Sequence, residues 1–195
     1  MKNSLMWFRY DLRIKDNEAL FAASENEFCL PIFIFDEDYL KLQTTSDFHL
    51  NFLNNSLLDL KNNLKEKFNV KLNLYNGKTI EILDYLISKF KITNVYSNKI
   101  FKGEFFNRLD NNVNSLFIEK KVNWIQKNQF GVQLNKRVRG KWSVDWQKFV
   151  SIPITPNIES KYFLEDDNDN SLFTFPNTSC QQGGEKFALS CLDHF

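Results

Sequence analysis

Apolar residues along this chain follow two periods. Leu5, Met6, Trp7 and Phe8 form a short unbroken run that stops at Arg9. Phe28, Cys29, Leu30, Pro31, Ile32, Phe33, Ile34 and Phe35 form a second that stops at Asp36, Glu37 and Asp38. Runs this short with no polar side predict strands covered on both faces, as in the middle of a parallel sheet. Pro31 has no N–H to give a ladder, which predicts that it takes the first pairing position and leaves 32–35 as the paired core. Elsewhere the period lengthens to three and four. Leu50, Leu53, Leu57, Leu60 and Leu64 predict a long helix capped by Ser46, its leucine stripe read as core packing. Ile80, Leu83, Ile87 and Phe90 predict a second helix, and Phe105, Leu109, Val113 and Leu116 a third. Residues 70–75 predict a third strand closed by a turn at Asn76 and Gly77, with a fourth strand over 94–97 and a fifth over 122–125. Asp16 is placed as the cap of a short helix after the first strand. Strands alternating with helices in this way predict an α/β fold, a doubly wound five-stranded parallel sheet with right-handed crossovers and no internal repeat.

The alternation fails beyond about Gln126, which divides the chain into an α/β domain over 1–130 and a connector with short helices over 131–195. Within the connector, the basic cluster Lys136, Arg137, Arg139 and Lys141 runs into Trp142 and Trp146. The tryptophans are four apart and so share one face of a short helix with Phe149 and Val150, a helix that ends near Pro153. That face reads as packing anchors or as a contact for a partner domain. Residues 165–170 are acidic and, with Ser171, Pro176 and Asn177, read as an exposed link. Gly183 and Gly184 then precede a helical start with Glu185 in its first turn.

Composition narrows the function classes. Hydrophobic residues at 43% beside charged residues at 25% describe a globular chain, and a net charge of +1 provides no field to draw in a polyanion. Free binding of nucleic acid is therefore not expected. Cys29, Cys180 and Cys191 are odd in number and lack metal-type spacing, so they read as reduced thiols. No segment reaches the roughly 20 apolar residues of a membrane span, and the amino terminus lacks signal-peptide order, which gives a cytoplasmic expectation with no membrane contact. His49 and His194 are far apart, and no glycine-rich phosphate loop is present, so neither a metal site nor self-contained catalysis is expected.

The candidate chemistry lies where the first strand empties into a turn carrying Arg9, Asp11, Arg13 and Asp16, since α/β folds receive ligands at that carboxyl edge. These groups either satisfy one another as an ion-pair and capping network or hold a ligand or a docked domain. The string Trp7-Phe8-Arg9, Asp11-Leu12-Arg13, Asp16-Asn17 and Ala19-Leu20 resembles the start of the DNA photolyase and cryptochrome family. The stretch from Gly183 to Phe195 resembles the segment by which photolyases enter their helical domain. The resemblance implies a Rossmann-like photolyase N-terminal domain, the antenna and scaffold portion of a deoxyribodipyrimidine photolyase-like protein, with the chain stopping before the helical FAD-binding domain. The family process it implies is light-driven repair of pyrimidine dimers with FAD as catalyst. No FAD site and no catalytic residue is expected in this chain, which is not expected to be active alone.

The partner implied is a separately encoded FAD-binding helical domain, through which damaged DNA would be reached. The alternatives are a noncatalytic subunit of a split photolyase or cryptochrome, marked by an exposed apolar patch around Trp142, Trp146, Phe187, Leu189 and Leu192, and a pigment-binding light-signalling module. The resemblance also covers Val95-Tyr96-Ser97-Asn98. It makes Asn98, with Arg9, Asp11 and Arg13, the cofactor-binding or domain-interface candidates for an antenna pigment, folate or deazaflavin. Two departures leave the choice of pigment open. Leu109 separates Arg108 from Asp110 where the family has an arginine-aspartate pair, and lysines stand where folate-binding members carry an acid after the asparagine.

Overall fold

The computed structural model describes residues 3–101, 103–131, 142–158, 163–167 and 181–194. Strands β1 (Asn3–Phe8), β2 (Phe28–Asp36), β3 (Asn73–Gly77), β4 (Ile92–Asn98) and β5 (Asn123–Lys127) form one parallel sheet in the order β3-β2-β1-β4-β5. The connections carry α1 (Glu18–Ser24), the short α2 (Glu37–Leu40), α3 (Asp47–Phe68), α4 (Thr79–Phe90) and α5 (Glu104–Lys120). Helices α6 (Trp142–Val150) and α7 (Glu185–Leu192) follow the sheet. This is the doubly wound α/β fold that the periodicity predicts.

The unbroken apolar runs exist because each central strand feeds two cores. Leu5, Trp7, Leu30, Ile32 and Ile34 pack with Leu83 of α4 and Val113 and Phe117 of α5. Met6, Phe8, Phe33 and Phe35 point the other way, to Leu20 of α1 and Leu57, Leu60 and Leu64 of α3. Alternate residues of one strand therefore serve opposite faces, and a polar residue such as Ser4 is buried there only with its hydroxyl bonded to the Ala23 and Phe28 carbonyls. At about 1.5–3 kcal/mol for each large side chain buried, these two layers supply most of the drive to fold. Ser46 caps α3 as expected, accepting from the His49 amide.

Local geometry corrects four sequence expectations. Asn17, not Asp16, caps α1: its backbone is extended and its side chain accepts from the Leu20 amide at 3.1 Å. Asp16 lies in the left-handed region at φ 48°, unsuited to a cap, and its carboxylate accepts from the Thr155 amide at 2.9 Å. Pro31 lies in the middle of β2, opposite Met6 of β1. It is tolerated because its carbonyl turns toward β3, where it accepts from Asn73 Nδ2, and the β3 ladder starts one residue later, at Ile32. Strand β3 itself begins at Asn73 and runs through Asn76 and Gly77. Val70 and Leu72 are buried ahead of the ladder instead of forming part of it.

The fourth correction concerns the connector. Phe163 bridges Cys29 in parallel, and the Leu164 amide donates to the Cys29 carbonyl at 2.8 Å, so the returning chain fills the flank of β2 that β3 leaves open. Asp166 is 5% exposed, not a solvated residue. It accepts from the Tyr75 hydroxyl and from Lys89 Nζ, both at 2.6 Å, and its amide donates to Asn73 Oδ1. A carboxylate with two charge-matched or hydroxyl donors can leave water, whereas the acidic composition of the segment suggests otherwise. Lys136, Arg137, Arg139, Lys141, residues 168–170, Ser171, Pro176, Asn177 and Cys180 lie outside the described residues. Among the described residues no helix is long and apolar enough to cross a membrane.

Candidate functional site

Strands β1 and β4 are neighbours whose following helices go to opposite faces, so the crevice beyond their carboxyl ends is where a doubly wound sheet opens to ligands. The turn after β1 and the end of β4 meet there. Arg9 is buried, and its guanidinium forms a two-pronged pair with Asp110 of α5 at 3.2 and 2.5 Å while lying 4.5 Å from the Trp7 ring centre. Its partner is thus Asp110 and not the nearby Asp11. Asp11, 1% exposed, accepts from the Arg9 amide, from Asn17 Nδ2 at 3.2 Å and from Asn98 Nδ2 at 2.6 Å. Asn98 also donates to Asn17 Oδ1. Arg13 braces the turn by donating to the Lys15 and Asp16 carbonyls.

The structure therefore brings Arg9, Asp11 and Asn98 together into a buried network behind the turn, with Arg13 on the turn itself. Burial of these groups is tolerated because their hydrogen bonds are made to one another. The network fixes the backbone from which Tyr10 projects.

Beside the turn a cavity of about 1160 Å³ opens, bordered by Tyr10, Lys15, Tyr39, His49, Phe105, Phe106, Arg108 and the α7 residues Glu185, Leu189 and Leu192. Its aromatic wall is continuous: Tyr10 meets Phe106 edge to face at 5.5 Å, and Tyr39 lies 5.3 Å from Phe106 and 5.8 Å from Phe105. Burial and then hydrogen bonding to Tyr39 push the Tyr10 hydroxyl well above the ordinary tyrosine range, so it stays protonated and joined to Tyr39. Arg108 and Lys15 bring positive charge to the rim. A second cleft of about 740 Å³ lies on the other side of the turn, where Arg13, Asn98, Lys127 and residues 149–156 meet.

One wall of the large cavity comes from the far end of the chain. The Glu185 carboxylate accepts from the Ile14 amide at 3.0 Å and the Lys15 amide at 2.8 Å, with Asn63 Nδ2 at 3.5 Å. The two glycines before it permit this approach: a Cβ on Gly183 would stand 2.4 Å from the Phe52 carbonyl oxygen, and Gly184 adopts φ +121°. The tryptophans lie elsewhere. Trp142 and Trp146 stack at 6.0 Å and remain exposed, Trp146 covering Gly131, while Phe187 and Leu192 are exposed on α7. Cys29 is buried beneath the sheet's flank, and burial pushes its thiol up to about 12, out of reach of thiolate chemistry.

Sequence reasoning did not single out Tyr10, Tyr39, Phe105, Phe106, Asp110 as the partner of Arg9, or Glu185 as a ligand of the turn. A signal for the aromatics was present. Tyr10 and Tyr39 follow the ends of β1 and β2, and Phe105 and Phe106 open the helix after β4, all of them carboxyl-edge positions.

Known proteins are similar to this chain in sequence and fold. The DNA photolyase family model matches residues 4–130. The chloroplastic/mitochondrial cryptochrome DASH of Arabidopsis thaliana is 32% identical over 103 residues, 49% of this chain and 18% of that protein. The deoxyribodipyrimidine photo-lyase of Buchnera aphidicola is 31% identical over 104 residues, 50% of this chain and 21% of that protein. Among solved structures, the archaeal photolyase from Sulfolobus tokodaii, which holds two FAD molecules, superposes with a TM-score of 0.75 at 24% identity over 97% of this chain and 46% of that one. The cryptochrome of Synechocystis sp. PCC6803 gives 0.79 at 19% over 100% and 46%. The chain thus spans less than half the length of these solved relatives, and at such identities the superpositions speak for the fold alone. With the matched segment covering the whole sheet and the turn that follows β1, the chain belongs to the DNA photolyase family.

Proposed function

We propose that this chain is the scaffold and antenna portion of a light-driven DNA repair protein of the photolyase type, and that its large cavity takes a flat aromatic pigment of the deazaflavin or folate class. The observation that carries the reading is the aromatic cage of Tyr10, Tyr39, Phe105 and Phe106 at the carboxyl edge of the sheet. The volume suits a ligand of several fused rings with a side chain. In this reading the pigment stacks on these aromatics, and Arg108 and Lys15 meet a polar or anionic tail. A bound pigment would supply absorption in the near ultraviolet or blue and pass the excitation on. The residues themselves bind it, orient it and keep water from it.

The second cleft supports the reading less well, because the Asn98 amide that borders it already donates to Asp11 and Asn17. A pigment there would have to compete with two buried hydrogen bonds, and unmaking them leaves a carboxylate short of a donor. Arg9, Asp11 and Asn98 act in this proposal as the frame that holds the turn, and Arg13 as part of the cavity's border. The working partner is a helical FAD-binding domain, through which damaged DNA is reached.

The test is direct titration of the purified chain with an 8-hydroxy-5-deazaflavin and with methenyltetrahydrofolate, followed by absorbance and fluorescence. One of the two binds with a shifted band, and Tyr39→Ala weakens it about tenfold by removing a stacking wall. A spectrum unchanged by both compounds at about 100 μM, roughly 100-fold above a micromolar dissociation constant, overturns the reading.

A further inference from the structure

Helix α7 and the turn after β1 are about 170 residues apart in sequence, yet both wall the same cavity. Leu12 and Lys15 come from the turn, and Ala188, Leu189 and Leu192 from the helix. What joins them is one side chain. Glu185 spends both carboxylate oxygens on the turn, Oε2 on the Ile14 amide and Oε1 on the Lys15 amide. Its donors among the described residues are neutral: these two amides and Asn63 Nδ2. The turn cannot give those amides to a helix or ladder, because Asp16 takes a left-handed backbone and α1 does not begin until Glu18. On its other side α7 is tied to α3, its Lys186 amide donating to Asp59 Oδ2.

From this arrangement we infer that Glu185 is the positioning residue of the cavity. Through it α7 and the 11–16 turn open and close as one unit, and the pigment pocket is shaped only while that unit is closed. The inference deepens the pigment reading above and rests on it for its ligand, but the mechanical unit is testable without one. Two amides held by one carboxylate are lost together when it is removed, and each bond to a charged acceptor is roughly twice as strong as a neutral one. A ligand touching both walls binds the closed state, so occupancy and closure must favour each other reciprocally.

The experiment compares amide hydrogen exchange in the wild type, Glu185→Ala and Glu185→Gln, then repeats it with saturating riboflavin as a flat aromatic probe. Without probe, Glu185→Ala raises exchange at Ile14, at Lys15 and through 186–192 together by about tenfold or more, while β1 and β4 are unchanged. Glu185→Gln, which keeps one carbonyl oxygen as acceptor, gives an intermediate rise. Riboflavin slows exchange at both walls in the wild type, and its dissociation constant rises about tenfold in Glu185→Ala. A glutamate with a merely structural part would lower Tm and raise exchange throughout, leaving riboflavin affinity of the folded chain as it was. Walls that respond separately, or not at all, overturn the positioning role even if pigments bind. If the walls respond as one while the wild type binds neither riboflavin, deazaflavin nor methenyltetrahydrofolate, the pigment reading fails and the mechanical unit stands.

Discussion

Two buried carboxylates return to the sheet from the chain beyond β5, and they are wired in opposite ways. Asp166 lies beside the first residue of β3 and the last turn of α4, where it meets a cation, Lys89, and the Tyr75 hydroxyl. Glu185 lies at the other end of the sheet, beside the turn after β1, where among the described residues its donors are neutral amides. The first is an ion pair that fastens a strand-like segment to a sheet edge. The second is a polar tie that holds a turn in shape against a cavity. Charge neutralisation makes Asp166 a matter of stability and pH; amide recognition makes Glu185 a matter of geometry.

The largest expected effect falls on the Glu185 side. Gly183→Ala would place a Cβ 2.4 Å from both the Phe52 carbonyl oxygen and the Ser56 hydroxyl, so α7 must leave α3 at a cost of about 3 kcal/mol in urea unfolding. Limited proteolysis should then cut within 181–194 and spare 163–167. Equal loss of protection in both would show that the two returns form one unit.

Next comes Asp166→Asn, expected to destabilise less than Gly183→Ala because Lys89 loses its charge partner while Tyr75 keeps an acceptor. Burial raises the Asp166 carboxyl, but hydrogen bonds from Lys89 and Tyr75 outweigh it, and the group titrates below its ordinary value of 3.8. A depressed carboxylate contributes its stability above 3.8 and loses it as the pH falls from there toward the folded value. The stability gap between wild type and Asp166→Asn should therefore be full at neutral pH and shrink below that point. A gap that widens in acid would assign the fastening to something other than this pair.

The smallest effect is that of Lys186→Ala. Its pair with Glu66 at 3.2 Å is exposed at both ends, 60% and 63%, so its loss should cost under about 0.5 kcal/mol and vanish in high salt. A larger loss would mean that α7 is held by surface charge and not by Glu185.

The sheet could be read from the chain because burial on both faces leaves a local mark: runs such as 5–8 and 28–35 have no polar residue to spare. Helices α3, α4 and α5 were readable for the same reason, their leucines and isoleucines keeping a helical period. What escaped was set by contacts distant in sequence. Asp166 reads as solvated because its neighbours 165 and 167 are acidic, and nothing near it announces Lys89 or Tyr75. Asp16 and Asn17 are both good caps, and the choice between them turns on a backbone angle that the Thr155 amide stabilises from 139 residues away. At the site, the charged residues drew attention, yet Arg9, Asp11 and Asn98 are occupied with one another and with Asp110 and Asn17. The aromatic wall of the cavity was hidden among the twenty phenylalanines of a chain that uses that residue everywhere.

The pairing of residues 163 and 164 with Cys29 bears on how far the chain can be shortened. A fragment stopped at residue 130 would retain all five strands but show solvent a bare margin of β2 next to Leu30 and Pro31. Such a margin recruits a strand from a second molecule, the opening step of ordered aggregation. The returning segment thus shields that margin, and a fragment that keeps it covered extends at least through residue 164.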